Sequence, residues 1–463
     1  MTTTTQEITG EEITGKDWFL AEFARVHGGR ETPEPAWLRE LRQAAIARFA
    51  ELGFPTPRWE DWRFTNMAPL EKIPFRAAAR RIESIGAESR GANLIRPYAF
   101  EGSESARVVF INGRYDSELT MLDGLPPGVP GVKVMSLPAA LRQDPETIRR
   151  YLSQAARANG NPFTALNTAL WEDGAFIQIP TGVAIEKPIH LLFMTTGEGE
   201  PAAMHPRILI AAGESSQAGI IETYAGTGGN VYFHNAVTEI AAGENSAIGH
   251  TKLQHESEYA YHIASIQASL GSNSNFASCS ISAGGALARN DIGVMLDGER
   301  IEVNLSGLYM AKGRQHVDHH TRLDHARSHG ASRQLYKGIL DENGSGVFTG
   351  RIRVHPDAQK TDAHQSNRNL LLSETASINT QPQLEILADD VRCTHGATVG
   401  QLDEDAIFYL RTRGIGVETA RGLLTYAFAN EVVGTIGFGP LRERLERLIA
   451  SRYQLQRPVE GQS

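Results

Sequence analysis

Two groups of residues in this chain have the types and spacing to do chemistry. The first is the pair Cys393 and His395, in the stretch QLEILADDVRCTHGATVG at 383–400. Thiolate and imidazole both bind iron and other first-row metals. On a strand, residues two apart point to the same face, so the two donors would be presented together. A structural zinc or an iron–sulfur cluster takes four protein donors. The pair is therefore half of a site, and a partner chain must supply the rest. The bland alternative is that Cys393 is a small buried hydrophobe. The second group is RQHVDHHTRLDHARSHG at 314–330, where His316, His319, His320, His325 and His329 accompany Asp318 and Asp324. Imidazole and carboxylate suit Fe, Zn, Ni or Cu, yet neither HExxH nor another fixed ligand spacing is present. On a strand these histidines would alternate between two faces. A structural or interface role is the first reading, and a stand-alone metal site on 316–329 is the second.

Other chemistries lack their signatures. The chain has no GxxxxGK[ST], so it is not expected to hydrolyse ATP itself, and it has no GxSxG or CxxC. Its glycine-rich stretches lack the strand–GxGxxG–helix context of a dinucleotide site. The acidic pairs Asp389–Asp390 and Asp403–Asp405 keep a β-helix polysaccharide-active enzyme open as an alternative of another class. Paired acids in turns are more often caps and solvated loops.

The elements that must position these residues fall into three stretches. Before about 160 the pattern is mainly helical, with a helix predicted over 35–52 between Pro35 and Gly53. Trp59 and Trp62, between prolines, read as anchors of an irregular packed corner. A polar linker is expected over 75–104, a strand and an Asn-Gly turn over 107–116, and a helix near 136–158. From 161 to about 400 the apolar period changes to two, in short runs such as AFIQIP, RILIAA and VYFHNAVTEIAAG. A weak repeat aligns Gly213, Gly243, Gly271 and Gly298. Short strands at a period of ~20–50 residues indicate a solenoid. Small polar turns without crossover helices favour a parallel β-helix, with a large antiparallel sandwich as the alternative. Within 383–417 the pattern reads as a strand, a sharp turn holding Cys393, a second strand and the start of a helix. From 401 to 463 it is helical again. Asp403 is the predicted N-cap of the first helix. The second, 417–433, places Ala420, Leu423, Leu424, Ala427, Phe428 and Val432 on one face. The third covers 440–453. So small a helical appendage must dock on the β layer or offer a face to a partner.

Composition narrows the class. The 463 residues carry a net charge of −9, with 21% charged and 41% hydrophobic residues. That balance argues against nucleic acid or an anionic membrane as partner. Two cysteines, Cys279 and Cys393, fit a reducing compartment and not a disulfide framework. The first residues, MTTTTQEITGEEIT, have no basic n-region or apolar h-region, and no apolar run approaches the ~20 residues of a membrane span. The expectation is a cytoplasmic protein.

These features together resemble the SufB/SufD family of iron–sulfur cluster assembly scaffolds, and within it the SufD branch. The resemblance rests on HVDHHTRLDH, YKGIL, FTGRIRVHPDAQKTDAHQSNRNLLLS, TQPQLEILADDVRCTHGATVG and FYLRTRGI, in that order, and on RWEDWRFTNMAPL near the start. It implies a mainly β fold: a helical N-terminal region with a short strand (1–160), a right-handed parallel β-helix (161–400), and a C-terminal helical domain (401–463). It also implies a non-catalytic scaffold that pairs with SufB through the β-helix and holds the ATPase SufC on its C-terminal helices. An iron–sulfur cluster would be bound transiently at the subunit interface, with none held tightly by the isolated chain. In the family pattern, His395 and Cys393 match the candidate cluster ligands. A homodimer is a further expectation for the isolated chain. SufB-like chains typically carry a glutamate after the matching histidine, where this chain has Gly396, so a SufB-type paralogue is the second assignment.

Overall fold

The computed structural model describes residues 15–28, 34–78, 88–100, 105–125, 129–196 and 199–453. From Gly174 onward the strands alternate between two sheets, one 11-stranded and one 10-stranded. From Arg207 onward each strand pairs in parallel with the strand two positions along the chain: Tyr232 lies opposite Ala260, and Ala247 opposite Asn275. This is a parallel β-helix of about eight rungs. The antiparallel sandwich is excluded. Among the described residues, antiparallel pairing is confined to the hairpin of Arg107–Ile111 with Arg114–Met121 and to Lys133–Ser136 against Gly174–Ile179. Period-two alternation sends Ile, Val, Leu and Phe from both sheets into one continuous core.

The glycine repeat marks a turn that stacks on itself. Gly213, Gly243 and Gly271 directly follow the strands Arg207–Ala212, Tyr232–Ala242 and Ala260–Leu270. A Cβ on Gly243 would fall 2.8 Å from the backbone nitrogen of Glu214, and one on Gly271 2.9 Å from that of Glu244. Two residues further on, Ser215, Asn245 and Asn273 take φ of 55°, 57° and 56°. Their amides donate to the next turn, to Glu244 O at 2.8 Å, Ser272 O at 2.9 Å and Glu299 O at 2.8 Å. The repeat legible in the sequence is this ladder of turns.

The N-terminal third departs from expectation in places. The helix foreseen over 136–158 is two short ones, Leu137–Gln143 and Pro145–Tyr151. Asp144 breaks the run by capping Thr147 N, and Pro145 cannot continue a helix. Strand character was expected from 161, but Pro162–Leu170 is a helix buried along its whole length. Asn161 caps it, and Asn167 ties it to the solenoid by donating to Pro206 O (2.9 Å) and Asn235 O (2.8 Å). The stretch read as a linker holds the helix Glu88–Ile95, with Ile95 packed on Val109 and Leu192. The rest of that stretch lies partly outside the described residues. Strand Arg107–Ile111 joins the second sheet beside Ile189–Thr195, and the Asn112-Gly113 turn, with φ of 49° and 75°, folds Arg114–Met121 over it. On this side the second sheet therefore ends in an antiparallel hairpin.

At the other end the chain leaves the solenoid as three helices. Asp403 accepts from Asp405 N (2.9 Å) and Ala406 N (3.4 Å), capping Glu404–Thr412 as expected. Val417–Val433 and Gly439–Arg452 return along the outer face of the second sheet. Helix Val417–Val433 buries Ala420, Gly422, Thr425, Ala429, Val432 and Val433. Of the face read from the sequence, Ala420 and Val432 are buried, Leu424 and Phe428 half-buried, and Leu423 and Ala427 exposed. Small side chains let this helix approach the sheet closely. Lys337 pins the helix, donating to Phe428 O at 3.0 Å and pairing with Glu431.

Candidate functional site

The last rung consists of Ser377–Ile386 and Arg392–Gly400, each the terminal strand of its sheet. Cys393 is not in the turn that the sequence suggested. It is the second residue of the final strand, because Asp389 and Asp390 take up the turn before it. The parallel register places Cys393 opposite Ala363 and His395 opposite Gln365. Ala363 and Gln365 are buried inward-facing positions, so Cys393 and His395 continue two inward columns of the solenoid. No further rung covers them. Cys393 is half-buried against the edge of the core, and burial pushes its thiol above the ordinary cysteine value. His395 is exposed.

The surroundings are those of an uncovered solenoid end. Val399, in the same strand, is 48% exposed, and Ile386 and Leu387 are 40% and 49% exposed. Phe408 and Tyr409 on the adjoining helix are 66% and 57% exposed. A bare β edge flanked by exposed apolar side chains is a template for pairing with another chain. Behind it, Gln365 is buried with neither side-chain atom hydrogen-bonded. The other cysteine, Cys279, is buried under the C-terminal helices, and burial pushes its thiol up to about 11. It fits the small-hydrophobe reading.

The histidine-rich stretch does not gather into one site. It is strand His316–His325, and its side chains alternate between faces. His319 points inward to Ser282 (2.8 Å), and His325 contacts Ser332 (3.0 Å). His316 and Asp318 point outward and meet the N-terminal tryptophan corner. Thr65 Oγ1 lies 3.0 Å from His316 Nε2 and donates to Asp318 at 2.5 Å. Arg289 bridges the two segments, 2.7 Å from Asp318 and 3.7 Å from the Trp62 ring centroid. Burial opposes ionisation of Asp318, but Arg289 and His320 hold its carboxyl well below the usual range. The first reading of this stretch, as structural, is the one the contacts support.

A feature missed in the sequence is a polar seam inside the β-helix. Glu222 accepts from Thr238 (2.8 Å) and Tyr224 (3.0 Å) and contacts His250 (3.0 Å). Lys252 donates to Asn290 (3.0 Å), and burial lowers its pKa to about 8. Toward the last rung, Tyr309, Asn367, Asn369 and Thr380 form a linked cluster. Its signal was present in HTKLQH (250–255), where His250, Lys252 and Gln254 occupy every second position. Polar residues at a period of two look the same in sequence whether they face inward or out.

Among the described residues, no helix is long and apolar enough to cross a membrane. Comparison with known proteins accords with the architecture. The family described as "SUF system FeS cluster assembly, SufBD core domain" matches residues 193–428, and "SufBD protein N-terminal region" matches 18–191. An iron–sulfur cluster assembly SufBD family protein of Synechocystis is 35% identical, covering 97% of both chains. The iron–sulfur cluster assembly protein SufD of Escherichia coli is 30% identical over 89% of this chain and 92% of its own. The chloroplastic protein ABCI7 of Arabidopsis thaliana is 32% identical over 86% of this chain and 82% of its own. With both family regions matched in order and relatives aligned nearly end to end, this chain belongs to the SufB/SufD family of iron–sulfur cluster assembly proteins.

Proposed function

We propose that this chain is a SufD-type scaffold subunit, without catalytic activity of its own, that works in the cytoplasm paired through the open end of its β-helix. The observation that carries the reading is the asymmetry of the solenoid. An antiparallel hairpin at 107–121 ends the second sheet on one side, whereas the parallel strand Arg392–Gly400 ends it on the other with Cys393 half-buried and His395 exposed. A second β-helix, the SufB paralogue, would continue the ladder across that edge. Cys393 and His395 would then face the partner's rung and hold a nascent cluster as transient cargo, with SufB supplying the missing donors. Gly396, where SufB-like chains typically carry a glutamate, supports the SufD side of the pair. The ATPase SufC would dock on the C-terminal helices. Helix Glu404–Thr412 follows the last rung after three residues, so a push on Phe408 and Tyr409 would reach the strand that carries Cys393.

The test is reconstitution with SufB, SufC and a sulfur donor, reading iron, sulfide and visible absorption. His395→Ala is expected to leave the complex assembled and lose the cluster. Wild-type cluster yield from that variant would sink the ligand role. In the same preparation, Phe408→Ala with Tyr409→Ala is expected to reduce SufC capture and spare SufB pairing.

A further inference from the structure

In the first half of the β-helix three donor side chains converge that nothing in the cluster-ligand reading uses. His234 and His262 are register partners on adjacent strands, Tyr232–Ala242 and Ala260–Leu270, so their rings lie in one inward column, edge to face with centroids 6.0 Å apart. Glu256, in the turn before the second of these strands, reaches in between them. Its Oε1 lies 2.5 Å from His234 Nδ1, and its Oε2 lies 2.8 Å from His262 Nδ1. One ligand atom from each residue lies within 4.8 Å of the other two. All three residues are buried.

A purely structural ion network would satisfy every one of these groups, and this one leaves an atom over. His262 Nδ1 pairs with Glu256 at 2.8 Å, but the buried His262 Nε2 has no hydrogen-bond partner. Native interiors rarely leave such atoms unpaired, because each costs about 1–3 kcal/mol. The remaining contacts orient donors. Gln254 donates to Glu256 Oε2 at 3.1 Å, and Thr195 Oγ1 lies 3.4 Å from His234 Nε2. Polar neighbours that fix a ligand's rotamer and tautomer are the usual support of a metal site. The Tyr224 ring, 4.8 Å from that of His262, walls it from the rest of the interior. The nearby cation Lys252 is engaged with Asn290 and does not occupy the space. Thr195 and Tyr232, which flank His234, also line a cleft of about 310 Å³ together with Arg76, Gly199 and Asn230.

We propose that His234, Glu256 and His262 form a binding site for one divalent transition-metal ion. Two imidazoles and a carboxylate suit Zn(II) and Fe(II), with water or solvent completing the shell. At bond lengths of about 2.0–2.2 Å an entering ion would part the carboxylate from the two ring nitrogens that now contact it directly. This inference is independent of Cys393 and His395, which lie on the last rung of the solenoid.

The full chain, stripped with chelator, is titrated with Co(II) and Zn(II), and with Fe(II) under anaerobic conditions. The expected result is one ion per chain, visible d–d absorption for Co(II), and a Zn(II) X-ray absorption spectrum with two imidazoles and no thiolate. His262→Asn is expected to weaken binding by at least about 100-fold, and Cys393→Ser with His395→Ala to leave it unchanged. Gln254→Leu keeps all three ligands and is expected to weaken binding about tenfold. It carries the test if His262→Asn does not fold. No Co(II) uptake by the wild type overturns the site. So does a thiolate at about 2.3 Å in the Zn(II) shell, fewer than two imidazoles, or affinity unchanged in the folded variants of His262 and Gln254.

Discussion

His395 stands directly across the final ladder from Gln365, a buried amide with no hydrogen-bond partner. One is exposed because the solenoid stops there, and the other is stranded just beneath. Gly350 makes room for this amide, since a Cβ there would fall 2.2 Å from Gln365 Nε2. In the isolated chain the unpaired amide costs about 1–3 kcal/mol. Gln365→Leu is therefore expected to raise the urea midpoint, by about 1 kcal/mol in stability. A lower midpoint would show that the amide is already satisfied, and a loss of cluster assembly in the stabilised variant would tie Gln365 to the interface.

Val399→Lys tests the open edge. Val399 is exposed, so the substitution is expected to shift stability by no more than about 0.5 kcal/mol. A charge on an edge strand blocks pairing with another edge. Light scattering and co-purification should show a folded chain that no longer captures a paralogous β-helix or a second copy of itself. Undiminished pairing would place the interface elsewhere.

The β-helix was legible in the sequence because its period of two and its turn glycines are local signals. Gly243 and Gly271 recur where stacked turn backbones leave no space for a Cβ, and the αL residues follow at a fixed offset. Helix Pro162–Leu170 was not legible, because burial along its whole length removes the polar face that would show a helical period. The His234–Glu256–His262 group stayed hidden for another reason: its members share no short ligand spacing and meet only through ladder register and a turn. Cys393 and His395 were found because they are two residues apart on one strand. What the sequence could not show is that the strand is the last, which leaves His395 exposed.

Paired alanine substitutions test the stacked turns. Gly243→Ala would place a Cβ 2.8 Å from the Glu214 backbone nitrogen, whereas Gly249→Ala meets nothing closer than 3.9 Å. Backbone cannot swing aside as a side-chain tip can, so Gly243→Ala is expected to cost about 1–3 kcal/mol by the measure of other overpacked sites. Gly249→Ala should be neutral or mildly stabilising, because it restricts the unfolded chain. Denaturation midpoints of the two variants check the difference, and equal midpoints would mean that the turns do not set the rung spacing.

The buried histidines make stability depend on pH with a definite sign. Burial pushes His190, His205 and His319 down to about 3, and His262 and His325 down to about 4. In the folded chain these rings are neutral at pH 5. In the unfolded chain their pKa is about 6.5, so it binds more protons than the folded chain at every pH between the two values. Stability from these groups is fully present above about pH 7 and is lost as pH falls toward 4. Each ring contributes up to about 1.4 kcal/mol per pH unit within its window. Asp318, whose carboxyl is held below its usual range, adds a further loss only under about pH 4, once the unfolded carboxylate takes up its proton. Urea midpoints of the metal-free chain at pH 7.5, 6.5 and 5.5, chosen to bracket the ~6.5 reference value, are expected to fall in that order. His319→Gln should flatten the slope by about one proton, since its contact with Ser282 can be kept by an amide that does not titrate. Midpoints that stay level across this range would mean that the rings are protonated in the folded chain, which the dry interior around His319 should not allow.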